Sequence, residues 1–279
     1  MSALTVHLPA GPIAYQDVGT GPVIVLVHGV LMDGSLWRKV TPHLAKTCRV
    51  ITPTLPLGAH RLPMAPDADL TMRGQVHLLA DFMDALDLHD VTLVISDWGG
   101  PLFLTAEGRD ERVSRLIITP CEAFDNFPPG LPGRAAELLA VSDVGMRAGL
   151  HLLRWGVARR KPMMFGWMVK RDIPARTVRA WTAPGLNDRR IRNDYRAYAR
   201  GSWSKQHCVA ATQSLSSFHG HATVLWAPEN KVMPQAHGQQ LARLLGTTVT
   251  EVNDAYVLLS EDQPTVLAQH ISHAVSEVR

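Results

Sequence analysis

The 279-residue sequence predicts an α/β fold: a mostly parallel central sheet flanked by helices, with a helical segment inserted into it. Three observations carry this. Short apolar runs of strand type alternate with amphipathic runs of helical period up to about Cys121. One such run, VTLVISDWGG at 91–100, ends in a polar, glycine-rich corner of the kind that presents a side chain above a parallel sheet. From about Phe124 to Phe218 no strand run occurs, and the chain turns rich in Arg, Trp, Met and helix formers before HATVLWAP at 221–228 restores the strand pattern.

The elements follow in order. LTVHL and IAYQDV form a short hairpin with Pro12 near its turn. VIVLVHG at 23–29 is continuously apolar, as a strand buried on both faces must be. SLWRKVTPHLAK is expected to be a helix, and RVITPTLP at 49–56 the next strand. In the stretch 71–88, Val76, Leu79, Phe82, Met83 and Leu86 fall on one helical face, and Thr71 is suited to cap it. A helix is expected from about Pro101 and a strand at 115–120. FDNFPPGLPG marks a boundary, so the core is assigned to 1–123 and 219–279 and a helical cap to 124–218. QAHGQQLARLLG reads as a helix closed by Gly246, TVTEVND at 248–254 as the last strand, and the segment from Pro264 as the terminal helix.

Composition narrows the classes. With 46% hydrophobic and 19% charged residues the chain can bury a full core. The net charge of +3 is too small, and the basic residues too scattered, for a nucleic-acid partner. One basic run, RWGVARRKP at 154–162, reads as a solvated helix end. Cys48, Cys121 and Cys208 have no metal-ligand spacing and fit a reducing compartment. The N-terminal stretch lacks the pattern of a signal peptide, and no segment approaches the roughly 20 apolar residues of a membrane span. A cytoplasmic protein with no cofactor, no metal and no membrane partner is expected.

The corner then carries a resemblance over essentially the whole chain. HG after the third strand, a glycine corner after the fifth, a helical insertion after the sixth and two further strands resemble the α/β-hydrolase fold with a cap. In that family the corner reads G-x-nucleophile-x-G. Gly99 takes the second glycine position, so the nucleophile position is Asp97, Ile95 replaces the first glycine, and Ser96 falls one residue early. DWGG is similar to the corner of haloalkane dehalogenases and epoxide hydrolases, and the resemblance implies an Asp nucleophile acting on an apolar small molecule. A carboxylate displaces halide or opens an epoxide at sp3 carbon, leaving an alkyl ester on the enzyme. The same resemblance implies anion stabilisation by Trp98 (indole and backbone N–H) and by the turn His28-Gly29-Val30.

Departures are as informative. The family's second-step base is a histidine in a Gly-His pair before Gln-Pro. Counting back from Gln263-Pro264 places Tyr256 and Val257 there, and no histidine occurs from Val249 to Gln269, while His270 and His273 belong to the terminal helix. The orienting acid of D-x-x-x-P aligns with Asn230 ahead of Pro234, with Glu229 off register. Glu122, in TPCEAFDNFP, is the alternative acid, with Asp125 second and a loop cap the plainer role. Leu31-Met32 replace the proline pattern of epoxide hydrolases. Tyr195 and Tyr198 share a helix face and are candidates to protonate a leaving oxygen, or simply to pack. His28 and His60 are candidate water-activating bases, whereas His219 and His221 lie toward the wrong end of the seventh strand. The cap residues Leu152, Trp155, Met163, Met164, Phe165, Trp167 and Met168 suit an apolar pocket or a core. Three functions stay open: a hydrolase with a rearranged base, a non-hydrolytic isomerase, cyclase or lyase, and an inactive ligand-binding homologue.

Overall fold

A computed structural model describes residues 3–201 and 203–276. Eight strands make one sheet: β1 (Leu4–Leu8), β2 (Gly11–Val18), β3 (Val23–Leu26), β4 (Arg49–Thr54), β5 (Val91–Asp97), β6 (Val113–Cys121), β7 (His221–Trp226) and β8 (Val249–Glu251), in spatial order β1-β2-β4-β3-β5-β6-β7-β8. The β1–β2 and β2–β4 pairs are antiparallel and all later pairs parallel. The order of β3 and β4 reverses across β5, which puts a crevice at the carboxyl ends of β3 and β5, where ligands bind in open α/β sheets.

The helices are α1 (Thr41–Leu44), α2 (Met72–Ala85), α3 (Gly130–Ala140), α4 (Asp143–Arg154), α5 (Gly156–Arg159), α6 (Ala175–Asn187), α7 (Arg189–Arg200), α8 (Lys205–Gln213), α9 (Gln235–Leu244), α10 (Leu259–Asp262) and α11 (Pro264–Ser276). Thr71 caps α2 by accepting from the Gly74 N–H, and Val76, Leu79, Phe82 and Met83 are buried beneath it. Helices α3 to α8 all fall between β6 and β7, and no strand occurs there among the described residues.

Two expected helices differ. The stretch from Ser35 is a single 3-10 turn, Gly34–Trp37, followed by the one-turn α1. Pro42 supplies no N–H and would press on the carbonyl of Arg38, so the helix restarts with proline in its first turn. The helix expected from Pro101 is likewise one 3-10 turn, Gly100–Phe103, and the chain then turns at Gly108 with φ of +62°.

Candidate active site

Strand β5 is buried along its whole length, which fixes its end rigidly over the sheet. Asp97 closes it with φ of +64°, a left-handed conformation that non-glycine residues rarely adopt. Glycines make this possible by leaving space. A Cβ on Gly29 would sit 1.9 Å from Asp97 Oδ2, one on Gly99 1.9 Å from the Glu122 carbonyl oxygen, and one on Gly100 2.1 Å from the Trp98 ring. HG and WGG are therefore packing requirements of the corner. Ile95, in place of the usual first glycine, is fully buried within the strand.

The Asp97 carboxyl is nearly inaccessible (4% exposed). Burial pushes its pKa up to about 7, opposed by a hydrogen bond from the Val30 backbone N–H. It lines a cavity with about 670 Å3 of space between atoms, part of it open to solvent. Val30, Leu31 and Met32 form one wall, and Leu139, Met146, Leu150, Met163, Phe165 and Met168 form much of the other. Among the described residues Asp97 is the only charged or polar side chain in that lining, and no histidine belongs to it.

A second cavity adjoins the first, sharing Val30, Pro129, Gly133 and Ala136, and is lined by Glu122, Glu137, Tyr195 and Tyr198. Glu122 is buried, and its Oε2 accepts from the Gly99 N–H at 3.2 Å. Burial first, and then the neighbouring Asp97 charge, hold the Glu122 carboxyl well above the usual carboxylate range, which favours its protonated form. The same two causes, burial and carboxylate charge, raise both tyrosines. Their phenols stay protonated, and the Tyr195 and Tyr198 rings lie 6.1 Å apart, tilted by 37°.

Several expected roles meet a different geometry. His28 is fully buried: Nδ1 donates to the Gly29 carbonyl (2.7 Å) and Nε2 accepts from the Leu55 N–H (2.9 Å). Both nitrogens are spent on backbone, and desolvation lowers the ring's pKa, so His28 is a neutral brace for the loop, neither anion donor nor base. His60 Nε2 pairs with Asp194 Oδ2 at 2.9 Å, tying the loop after β4 to α7, and His60 lines neither cavity. The Trp98 backbone N–H donates to the Ser96 carbonyl at 2.8 Å. Its indole lies over Gly100, edge-on to Tyr198 with Nε1 turned toward the phenol, and Trp98 lies outside both cavity linings. The Val30 backbone N–H is turned to the Asp97 carboxyl. Ser96 is buried with its hydroxyl unpartnered and also lines neither cavity.

The loop that replaces the Gly-His pair is a packed plug. Ala255, Val257, Leu258 and Leu259 are fully buried. Asp262 holds the plug in place by accepting from the backbone N–H groups of Tyr256 (3.0 Å), Lys170 (2.9 Å) and Arg171 (2.9 Å). Asn230 closes its own turn by accepting from Val232 and Met233. Glu229 pairs with Lys170 at the surface, and Asp125 with His237 at 3.5 Å. Sequence reasoning missed Asp262 and Glu137. Asp262 sits beside Ser260, Glu261 and Gln263, so nothing in the sequence singles it out, and nothing singles out Glu137.

Corner, sheet order and inserted helices define one class: the chain belongs to the alpha/beta hydrolase family, whose sequence profile matches residues 24–270. Among curated relatives, a haloalkane dehalogenase of Mesorhizobium japonicum is 37% identical over 120 residues, 41% of this chain and 38% of that protein. A cis-3-alkyl-4-alkyloxetan-2-one decarboxylase of Xanthomonas campestris is 31% identical over 189 residues, 63% of this chain and 60% of that protein. The matches thus span about 40% to 60% of the relatives' own lengths. The crystal structure of haloalkane dehalogenase DbeA from Bradyrhizobium elkani superposes with a TM-score of 0.74 at 19% identity, covering 99% of this chain and 98% of that one. At that identity the likeness is one of fold.

Proposed function

We propose that this protein is an enzyme whose Asp97 carboxylate attacks an sp3 carbon of an apolar small molecule, as in haloalkane dehalogenases and epoxide hydrolases, with water completing the reaction without a histidine base. One observation carries the reading: a single carboxylate, set at a strained corner and facing the Val30 N–H, lines an otherwise apolar cavity. Attack leaves an Asp97 alkyl ester and a departing anion or alkoxide. An alkoxide would draw its proton from Glu122 or from a phenol of Tyr195 or Tyr198, all neutral and lining the neighbouring cavity. The helices of the cap, 124–218 in this reading, exclude water and shape the apolar wall.

A second reading is favoured by the apolar plug at Val257. Without an imidazole beside the ester, a reaction that never uses water is better served than hydrolysis. One relative bears the name of an oxetan-2-one decarboxylase. In such a ring Asp97 attack at the alkyl carbon would release a carboxylate. Loss of carbon dioxide from that carboxylate would then supply the electron pair for a C=C bond as Asp97 leaves. Atoms and charge balance with no proton moved.

Product analysis on a 1-bromoalkane, an alkyl epoxide and a dialkyl oxetan-2-one tests both. Bromide or diol release that disappears in Asp97→Asn supports hydrolysis. Carbon dioxide from the lactone alone, again lost in Asp97→Asn, supports the lyase. Unchanged turnover in Asp97→Asn, or no turnover of any of the three, contradicts the proposal.

A further inference from the structure

Helix α4 carries large apolar side chains on its exposed face as well as on its cavity face, the exposed ones interleaved with Arg147 and His151. Its inner stripe, Met146, Leu150 and Leu153, lines the cavity. Its outer stripe runs Val144, Ala148, Leu152 and, one residue past its end, Trp155, spaced so that all share one face. Val144 is 78% exposed and Trp155 63%. The pattern extends to neighbouring segments. Of the ten large hydrophobic residues exposed among the described residues, eight lie between Leu131 and Met163.

Charge concentrates in the same place. Residues 131–163 carry six Lys or Arg and two Asp or Glu, a net of +4, against +3 for the whole chain. The two acids are muted: Asp143 is paired with Arg192, and burial raises the pKa of the half-buried Glu137. Arg134, Arg147 and Lys161 are exposed and their side chains take no hydrogen bond or ion pair among the described residues, and Arg160 is exposed while sharing Asp172 with Arg159. Met163, four residues past α5, is 52% exposed and also lines the cavity, so an exposed apolar side chain borders it.

From this we infer that the outer face of α3 to α5 rests on an anionic lipid surface, with the side chains of Val144, Trp155 and Val157 among the acyl chains and Arg134, Arg147 and Lys161 at the headgroups. No described helix is long and apolar enough to cross a membrane; this one lies along it. A second copy of the chain would set +4 against +4, and a nucleic acid would find one indole, Trp155, among aliphatic side chains where it needs a series of stacking partners. Contact on this face would let an alkyl substrate pass from the bilayer into the cavity without crossing water, a consequence that rests on the proposed function, whereas the contact itself does not.

Flotation of the full chain with vesicles separates the outcomes. The chain is expected to float with phosphatidylcholine vesicles containing phosphatidylglycerol, and far less with phosphatidylcholine alone. The triple replacement Arg134→Gln, Arg147→Gln, Lys161→Gln should lower the partition coefficient about a hundredfold, at about fivefold per charge. Val144→Ser with Trp155→Ser and Val157→Ser should lower it by at least about tenfold. All six positions are exposed, and matching thermal melts confirm that each variant folds. Absence of flotation on anionic vesicles at low salt, or variants that float like the parent, overturns the inference. So does a dimer, seen by light scattering, that the serine variant dissociates.

Discussion

Replacing Asp97 with Asn should stabilise the protein at alkaline pH and leave it unchanged in acid. The carboxyl is 4% exposed, and its pKa rises from 3.8 to about 7 on folding. Below pH 4 both folded and unfolded chains hold the proton and the site costs nothing. Between pH 4 and 7 only the folded chain holds it, so stability falls as pH rises, by about 1.4 kcal/mol per pH unit. Above pH 7 the loss is complete, at up to about 4 kcal/mol. Asn keeps an acceptor for the Val30 N–H, tolerates the left-handed backbone at φ of +64°, and carries no charge to desolvate. The gap between variant and parent should therefore open from near zero at pH 4 to about 4 kcal/mol at pH 8, or roughly 8 °C in Tm for a chain of this size. Thermal or urea melts of both proteins at pH 4, 6 and 8 read it directly. A variant less stable than its parent at pH 8, or equally stabilised at pH 4 and pH 8, refutes the burial argument.

Other consequences follow from the same corner. Alkylation of Asp97 should speed up with pH and reach half its maximum near pH 7, where the carboxyl ionises; single-turnover rates from pH 5 to 9 check this. Gly29→Ala sets a methyl group 1.9 Å from Asp97 Oδ2, so alkylation should fall at least about a hundredfold even in protein that remains folded by circular dichroism. His28→Ala strands the Leu55 N–H and should cost about 2–4 kcal/mol in a urea melt, with the pH midpoint of alkylation unmoved, because the ring supplies no proton to the reaction.

Much of the fold was legible because it rests on periodicity. The buried β5 run, the amphipathic α2 with its Thr71 cap and the strand-free span before β7 are local patterns that packing reinforces. The helices expected from Ser35 and Pro101 were not, because Pro42 and Gly108 act on hydrogen bonding that the apolar stripe does not report. At the site, the corner could be placed by its glycines, yet the fate of each polar atom depended on contacts from distant segments. His28 is held by Leu55, the Trp98 N–H turns to Ser96, and Glu122 reaches back to Gly99. Leu152 and Trp155 were read together with Met163 and Met168 as one apolar group. The structure divides them, because α4 carries apolar side chains on two faces and sequence alone does not say which one meets the cavity.

The central claim is that Asp97 forms a bond to carbon, and peptide mass spectrometry tests it most directly. After incubation with a 1-bromoalkane, quenching in acid and digestion, the mass of one alkyl group should appear on the peptide that contains Asp97. For lack of an imidazole to activate water it should be hydrolysed only slowly, so that it accumulates during turnover, and it should be absent from Asp97→Asn. An alkyl group mapped to any other residue, or turnover of the bromoalkane by Asp97→Asn at the parent's rate, would contradict the account.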